Sequence, residues 1–167
     1  MKTTLAAAAA TIAVLLTGGM AGLFFAFSVS VMPGLNAARA SSAIAVMQQI
    51  NQKIINPVFL VHFMGAPVAG AAAGVLLLVA GQRQAALLFL AAAALYLLGS
   101  ILPTAVVNVP MNNALDAVEI PADTAEAARI WNDHSSRWTA WNTLRAVACT
   151  VSLLVMALGL YVWGKNA

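Results

Sequence analysis

The sequence predicts an all-α membrane protein: a four-helix transmembrane bundle with two short interfacial helices on one side. Three observations carry that prediction. The 167 residues are 62% hydrophobic and 8% charged, with a mean hydropathy of +0.90, which leaves too little polar surface for a soluble globular domain. Four apolar stretches, residues 5–32, 57–81, 85–107 and 138–163, reach the roughly 20 residues that cross about 30 Å of hydrocarbon. Most of the charge, including all five acids, falls in the segments between them.

The first stretch opens Met-Lys and could pass for a secretory signal, but its apolar run continues through Phe24, Phe25 and Phe27 without a small-x-small cleavage site, so it is expected to remain as a span. The connection from Pro33 to Asn56 carries Ile44, Met47, Ile50 and Ile54 at helical spacing, with Gln48, Gln49, Asn51 and Lys53 between them. That pattern predicts a short helix lying along the interface with one wet face. The second and third stretches meet at the turn Gln82-Arg83-Gln84, and Pro103 and Pro110 are expected to kink or end the third. In the second connection, Asp123-x-x-Glu126 after Pro121 is a capping-box signature. Arg129, Asp133 and Arg137 follow at four-residue steps, which predicts a solvated helix running into the fourth span. Gly18-x-x-x-Gly22 and Gly70-x-x-x-Gly74 offer small surfaces for close helix packing. No repeat or linker divides the chain, so residues 1–167 read as a single transmembrane domain.

The polar residues near the spans gather at one depth, at the ends bordering the long connections: Asn56 and His62, Asn108 and Asn112, and Trp138, Asn142 and Arg145. An arginine inside a span costs roughly 2.5–3.5 kcal/mol, so Arg145 either faces a pocket or reaches headgroups or helix-end carbonyls. His62 shares a face with Ala66, Ala69 and Ala73 and is expected to point into the bundle, as a satisfied core histidine or as a base. Tyr96, Ser100, Thr104, Asn108 and Asn112 form a polar line on the third span that drifts slowly around the helix. Trp138 and Trp141 share the Arg145 face and either belong to an interfacial belt or wall an aromatic pocket. A metal site is not expected, because His62 and His134 are the only histidines and no carboxylate stands inside a span. The single cysteine, Cys149, excludes disulfide frameworks within one chain and reads as a buried thiol. Eight scattered basic residues give a net charge of +3, without the cluster that nucleic acid or anionic lipid recognition needs.

Taken together, Gly22-Leu-Phe-Phe-Ala-Phe-Ser, Val31-Met-Pro-Gly-Leu, Met47-Gln-Gln-Ile-Asn, Asn56-Pro, Asn108-Val-Pro-Met-Asn and Trp138-Thr-Ala-Trp-Asn-Thr-Leu-Arg145 resemble the anthrone oxygenase-like family of small four-span membrane proteins, most of them bacterial. The likeness covers nearly the whole chain, with Thr143 standing where members often carry histidine. It implies a cofactor-independent oxygenation in which a phenolic tricycle is oxidised by molecular oxygen to the quinone. Such chemistry asks for a base, donors that hold an enolate, and a dry aromatic pocket. On that resemblance His62 is the candidate base and Arg145 with Asn108 and Asn142 the candidate clamp. Trp138 and Trp141 are the candidate walls, and Asn56 and Asn112 are further contacts.

The expected partners are membrane lipid and a hydrophobic small molecule; nucleic acid is not expected, and self-association stays open. The alternative to an oxygenase is a non-catalytic membrane protein that binds a lipid, quinone or other hydrophobic ligand, or assists a partner complex. The expected location is the cell (inner) membrane. Cytoplasmic termini are favoured because Lys2 and Arg83 lie beside their spans, whereas Lys and Arg counts on the two sides nearly balance.

Overall fold

The computed structural model describes residues 2–166. It contains five helices: α1 Lys2–Ala37, α2 Ala40–Ile54, α3 Pro57–Val79, α4 Arg83–Asp116 and α5 Thr124–Lys165. Four of them, α1, α3, α4 and α5, are long and apolar enough to cross a membrane. Each packs against two others, α1 and α4 both lying against α3 and α5, so the four form an up-and-down bundle in which α1 and α4 are diagonal. The exposed surface of the spans is dominated by Leu, Val, Ile and Phe, as in Leu15, Phe25, Val68, Leu98 and Leu154. Apolar chains exposed over such length belong against lipid. This is a multi-pass membrane protein.

The filling of the bundle changes along its length. At the end where the two chain termini lie, the core is mostly alanine (Ala6, Ala10, Ala73, Ala86, Ala92) closed by Leu77, Phe89 and Met156. Midway, Met20, Phe24, Phe63 and Tyr96 take over. At the far end the residues are Met32, Ile44, Met47, Leu115, Trp131 and Trp138. Small side chains let backbones approach, and packing of this kind holds helices together where lipid supplies no hydrophobic drive. A Cβ added at Gly70 would crowd Met156 and Ala93, and one at Gly74 would collide with Leu90, so this pair lies at close helix contacts. Gly22 faces open space and Gly18 meets only Leu153, so the other pair makes no close helix crossing within the bundle. The tightest approach is at Gly99 instead, where an added Cβ would collide with the Cβ of Ala148.

Three of the proline sites share one local structure. The first and third spans do not end near Pro33, Pro103 and Pro110; both helices run on, to Ala37 and Asp116. They do so through wide π turns at Phe27–Val31, Leu97–Ile101 and Thr104–Asn108. In each, the residue before the proline (Met32, Leu102 and Val109) donates its N–H to the carbonyl five residues back, on Phe27, Leu97 and Thr104. A proline clashes with the carbonyl four residues earlier and supplies no donor to it. Those carbonyls belong to Val29, Gly99 and Val106, the middle residue of each wide turn. Widening the turn relieves the clash and lets the helix continue.

The second interfacial helix is not a separate element, because residues 124–137 are continuous with the fourth span. At 1.5 Å per residue, α5 is about 63 Å long, twice the hydrocarbon thickness, so its first turns stand clear of the bilayer. Asp123 caps it, its Oδ1 accepting from the N–H groups of Ala125 and Glu126 at 2.8 and 2.9 Å. The charge ladder is exposed, with Arg129 to Glu126 at 2.7 Å and to Asp133 at 3.6 Å. The free-standing helix α2 is less wet than its pattern implies. Gln48 Nε2 donates to the carbonyls of Leu115 and Val118 at 2.9 and 3.0 Å, and buried Asn51 donates to Asp116 Oδ1 at 2.9 Å. Two residues expected in water thus tie α2 across the end of α4, Gln48 through backbone carbonyls at the helix end and Asn51 through the Asp116 carboxylate.

Because Gly99 and Ala148 leave no room for another carbon, Gly99→Ala is expected to destabilise the bundle by about 1–3 kcal/mol. Ala148→Gly in the same chain should recover most of the loss. Thermal unfolding of the purified protein in one detergent checks both.

Candidate binding and active site

A cavity of about 140 Å³ lies in the half of the bundle filled by large residues, under α2. Its walls come from α1 (Leu23, Phe24, Phe27), α4 (Thr104, Asn108, Asn112) and α5 (Trp138, Asn142, Arg145), with Met47, Ile50, Asn51 and Ile54 of α2 as roof. From α3 only Phe59 contributes. The cavity therefore lies between the first, third and fourth spans, and the second barely reaches it. Its exposed lining residues, Ile55, Val109, Asn113 and Asp116, place the mouth between the α2–α3 corner and α4.

Arg145 is at the centre of the polar network. It is 5% exposed and does not reach headgroups. Its Nη1 donates to Thr104 Oγ1 at 3.0 Å and its Nη2 to Asn142 Oδ1 at 2.9 Å. The guanidinium carbon stands 4.4 Å from the centroid of the Phe24 ring and 5.5 Å from that of Trp138, within cation–π range. No carboxylate of the described residues lies within ion-pair distance of it. Its Nε has no partner. A full positive charge is thus held by neutral groups alone, beside a cavity.

Each contact of that network is fixed by a further one. Asn142 Nδ2 donates to the Phe24 carbonyl and to Ser28 Oγ, both at 2.7 Å, which turns its Oδ1 toward Arg145. Ser28 lies in the π turn of α1, and its hydroxyl meets that of Thr143 at 2.9 Å. Trp138 Nε1 donates to Asn112 Oδ1 at 2.7 Å, pinning the indole as a wall, with Phe27 tilted against it at 5.8 Å. Asn108 is 1% exposed, lines the cavity, and has both side-chain amide atoms without a partner.

The wide turns of α4 account for this convergence. In an α-helix a four-residue step overshoots one turn by about 40°, so the line from Tyr96 to Asn112 should wander around the helix. A π turn holds more residues and undershoots, and two of them lie within this stretch. The drift expected from the sequence is cancelled. Tyr96, Ser100 and Asn108 are all buried, Thr104 reaches Arg145, and Asn112 reaches Trp138.

Five of the residues singled out from sequence meet at this cavity: Asn108, Asn112, Trp138, Asn142 and Arg145. Three do not. The His62 imidazole is half-buried, with Nδ1 2.8 Å from the Val58 carbonyl of its own helix and its ring against Gly19. It points to α1, as its small-residue face implied, but it is not on the cavity wall. Asn56 caps α3, its Oδ1 accepting from the Phe59 N–H at 3.1 Å. Trp141 is half-buried and lines no part of the cavity. The aromatic partner of Arg145 that sequence reasoning missed is Phe24, and the acidic residue it missed is Asp116 at the mouth. Phe24, Phe27 and Ser28, at one-turn spacing just before Pro33, were the available signal.

The family model described as anthrone oxygenase matches residues 58–155, more than half of the chain. That span holds α3, α4 and the cavity-lining part of α5, while Phe24, Phe27 and the roof lie outside it. No curated protein and no solved structure matches the chain. A four-span bundle with this match over its site-bearing helices is a member of the anthrone oxygenase family.

Proposed function

We propose that the cavity binds a planar phenolic aromatic as its enolate, and that the protein oxidises it with dioxygen without a cofactor. In the net reaction a ring methylene and O₂ become a ring carbonyl and water. The observation that carries this reading is the buried Arg145 guanidinium, partnered only by neutral Thr104 and Asn142 and sandwiched by Phe24 and Trp138. A buried cation without a counter-ion favours an anionic ligand. An anthrone becomes reactive toward oxygen when it becomes an enolate, and a fixed positive charge in a dry site stabilises that charge far more than water does. Asn108 adds an unspent amide beside it, and Asn142 and Asn112 hold Arg145 and Trp138 in place.

As a closed space, 140 Å³ suits about one aromatic ring. A tricycle would stand with its oxygen end at Arg145 and its far ring toward the mouth at Ile55 and Val109. His62 has no part in this proposal. The absence of histidine from the cavity wall favours the competing reading, a non-catalytic protein that binds a quinone or lipid through the same arginine. We further place the protein in the cell membrane with cytoplasmic termini, on the weight of Lys2 and Arg83; the cavity then opens near the outer face.

Oxygen uptake by the protein in nanodiscs, supplied with dithranol or emodin anthrone and corrected for autoxidation, tests the reading. The wild type should exceed the blank, Arg145→Ala should return it to the blank, and His62→Ala should leave the rate within about twofold, as expected away from the chemistry. Uptake no faster than the blank in the wild type, with saturable binding of the quinone product, would establish the binder instead. Asn142→Leu should lower stability by about 1–3 kcal/mol, because it removes an acceptor from a buried guanidinium. It should also reduce turnover, and thermal unfolding together with the same uptake assay reads both effects.

A further inference from the structure

Below the cavity the polar line continues into the bundle, past the level at which Arg145 crosses to α4. Among the described residues six buried side-chain nitrogen and oxygen atoms have no hydrogen-bond partner. Five of the six belong to one file, Tyr96 Oη, Ser100 Oγ, Arg145 Nε and both amide atoms of Asn108, in which Ser100 stands close to Tyr96 and to the Cys149 thiol without good hydrogen-bond geometry. Ser100 and Tyr96 are 0% exposed and lie one and two turns deeper than Thr104. Natural proteins rarely leave such groups unsatisfied. A concentration on one helix face asks for a common explanation.

The antiparallel register of α4 and α5 supplies its geometry. Arg145 bonds Thr104, Ala148 abuts Gly99, and Ser152 Oγ donates to the Ala92 carbonyl at 2.8 Å. In that register Cys149, one turn beyond Arg145, is opposite Ser100, and it shares a core cluster with Tyr96. The Leu97–Ile101 π turn lies in the same place. Its proline, Pro103, has no N–H to give, so a carbonyl there loses its usual helical donor. Two hydroxyls and an arginine N–H meet the requirement of two to four polar partners for a buried water. One turn deeper the file stops at alanine and Phe89, with Ser152 already spent on Ala92.

We propose that Tyr96, Ser100 and Nε of Arg145 hold internal water in a blind well beneath the cavity, and that this water relays protons to and from the bound substrate. The relay rests on the oxygenase reading; the water does not. Oxygenation of a methylene needs such a relay. The first C–H proton leaves to form the enolate, whose electrons form a C–O bond to O₂ and reduce it to a hydroperoxide anion. That anion takes up a proton. Loss of the second C–H proton then breaks the O–O bond, leaving the carbonyl and a hydroxide that is protonated to water. Two protons leave carbon and two end on the departing oxygen, so no outside donor is consumed. A well closed at its inner end keeps them beside the site.

Radiolytic hydroxyl-radical footprinting in nanodiscs tests the water, since buried side chains beside bound water are oxidised in place. Cys149 and Tyr96 should be labelled as exposed Tyr161 is, whereas Met156, buried in the alanine core, should stay unlabelled. In the Tyr96→Phe, Ser100→Ala double variant, Cys149 labelling should fall to the Met156 level. An unlabelled Cys149 in the wild type overturns the well. The same double variant tests the relay. Its kcat for anthrone-dependent oxygen uptake should fall about a hundredfold at unchanged KM, with a changed solvent deuterium isotope effect. Labelled water with wild-type kcat in that variant overturns the relay and leaves a structural water. A wild type that takes up no oxygen overturns the oxygenase reading and the relay together, and the footprint still decides the water.

Discussion

A guanidinium kept inside a lipid-embedded bundle has to be satisfied without water, and most of the polar structure of this protein follows from that requirement. Arg145 finds no carboxylate within ion-pair distance among the described residues. Its donors go instead to Thr104 and Asn142, and its flat faces to Phe24 and Trp138. These partners come from three different helices, so the charge acts as a clasp. Moving α1, α4 or α5 would strip it of a hydrogen bond or a ring. Buried polar networks of this kind fix one arrangement among many similar packings, which matters in a bundle whose remaining core contacts are apolar.

The prolines of α1 and α4 work in the same direction. A helix that must keep polar residues aligned over four turns cannot do so at 3.6 residues per turn, and a helix containing interior prolines cannot keep regular bonding. In α4 each problem resolves the other. Pro103 and Pro110 force wide turns, and the wide turns bring Ser100, Thr104, Asn108 and Asn112 back to one face. In α1 the wide turn before Pro33 carries Phe27 and Ser28, one on the cavity wall and the other under Asn142. Two of the three wide turns, Phe27–Val31 and Thr104–Asn108, thus contribute residues to the cavity wall.

Where the cavity sits follows from side-chain size. Small alanines bring the helices together in the terminal half of the bundle, whereas the other half is propped by Met, Phe and Trp. Large, stiff side chains pinned by their own hydrogen bonds, as Trp138 is by Asn112, leave voids that smaller ones would close. Helix α2 roofs that void and is tied down by Gln48 and Asn51. The tie places Asp116, the sole carboxylate on the cavity lining, at the mouth and far from the arginine at the floor.

Composition and periodicity alone determined the membrane environment, the number of spans, the solvated start of α5 and the depth at which polar residues collect. Each depends on hydrophobicity summed over tens of residues, which no later contact can reverse. Arg145, Asn142, Asn108, Asn112 and Trp138 were legible as a set because a polar side chain within apolar sequence is conspicuous. Only the tertiary structure decided that Phe24 faces the guanidinium, that Asn51 and Gln48 turn inward, and that His62 and Trp141 stay off the cavity wall. A helical face specifies a direction but not the neighbour found there, and an aromatic residue among aliphatic ones carries no mark of the helix it will meet. The course of α4 was hidden for a further reason: proline reads as a stop in one dimension. Whether it ends a helix or widens one turn depends on whether neighbouring helices accept the displaced carbonyls, and that is settled only when the bundle is packed.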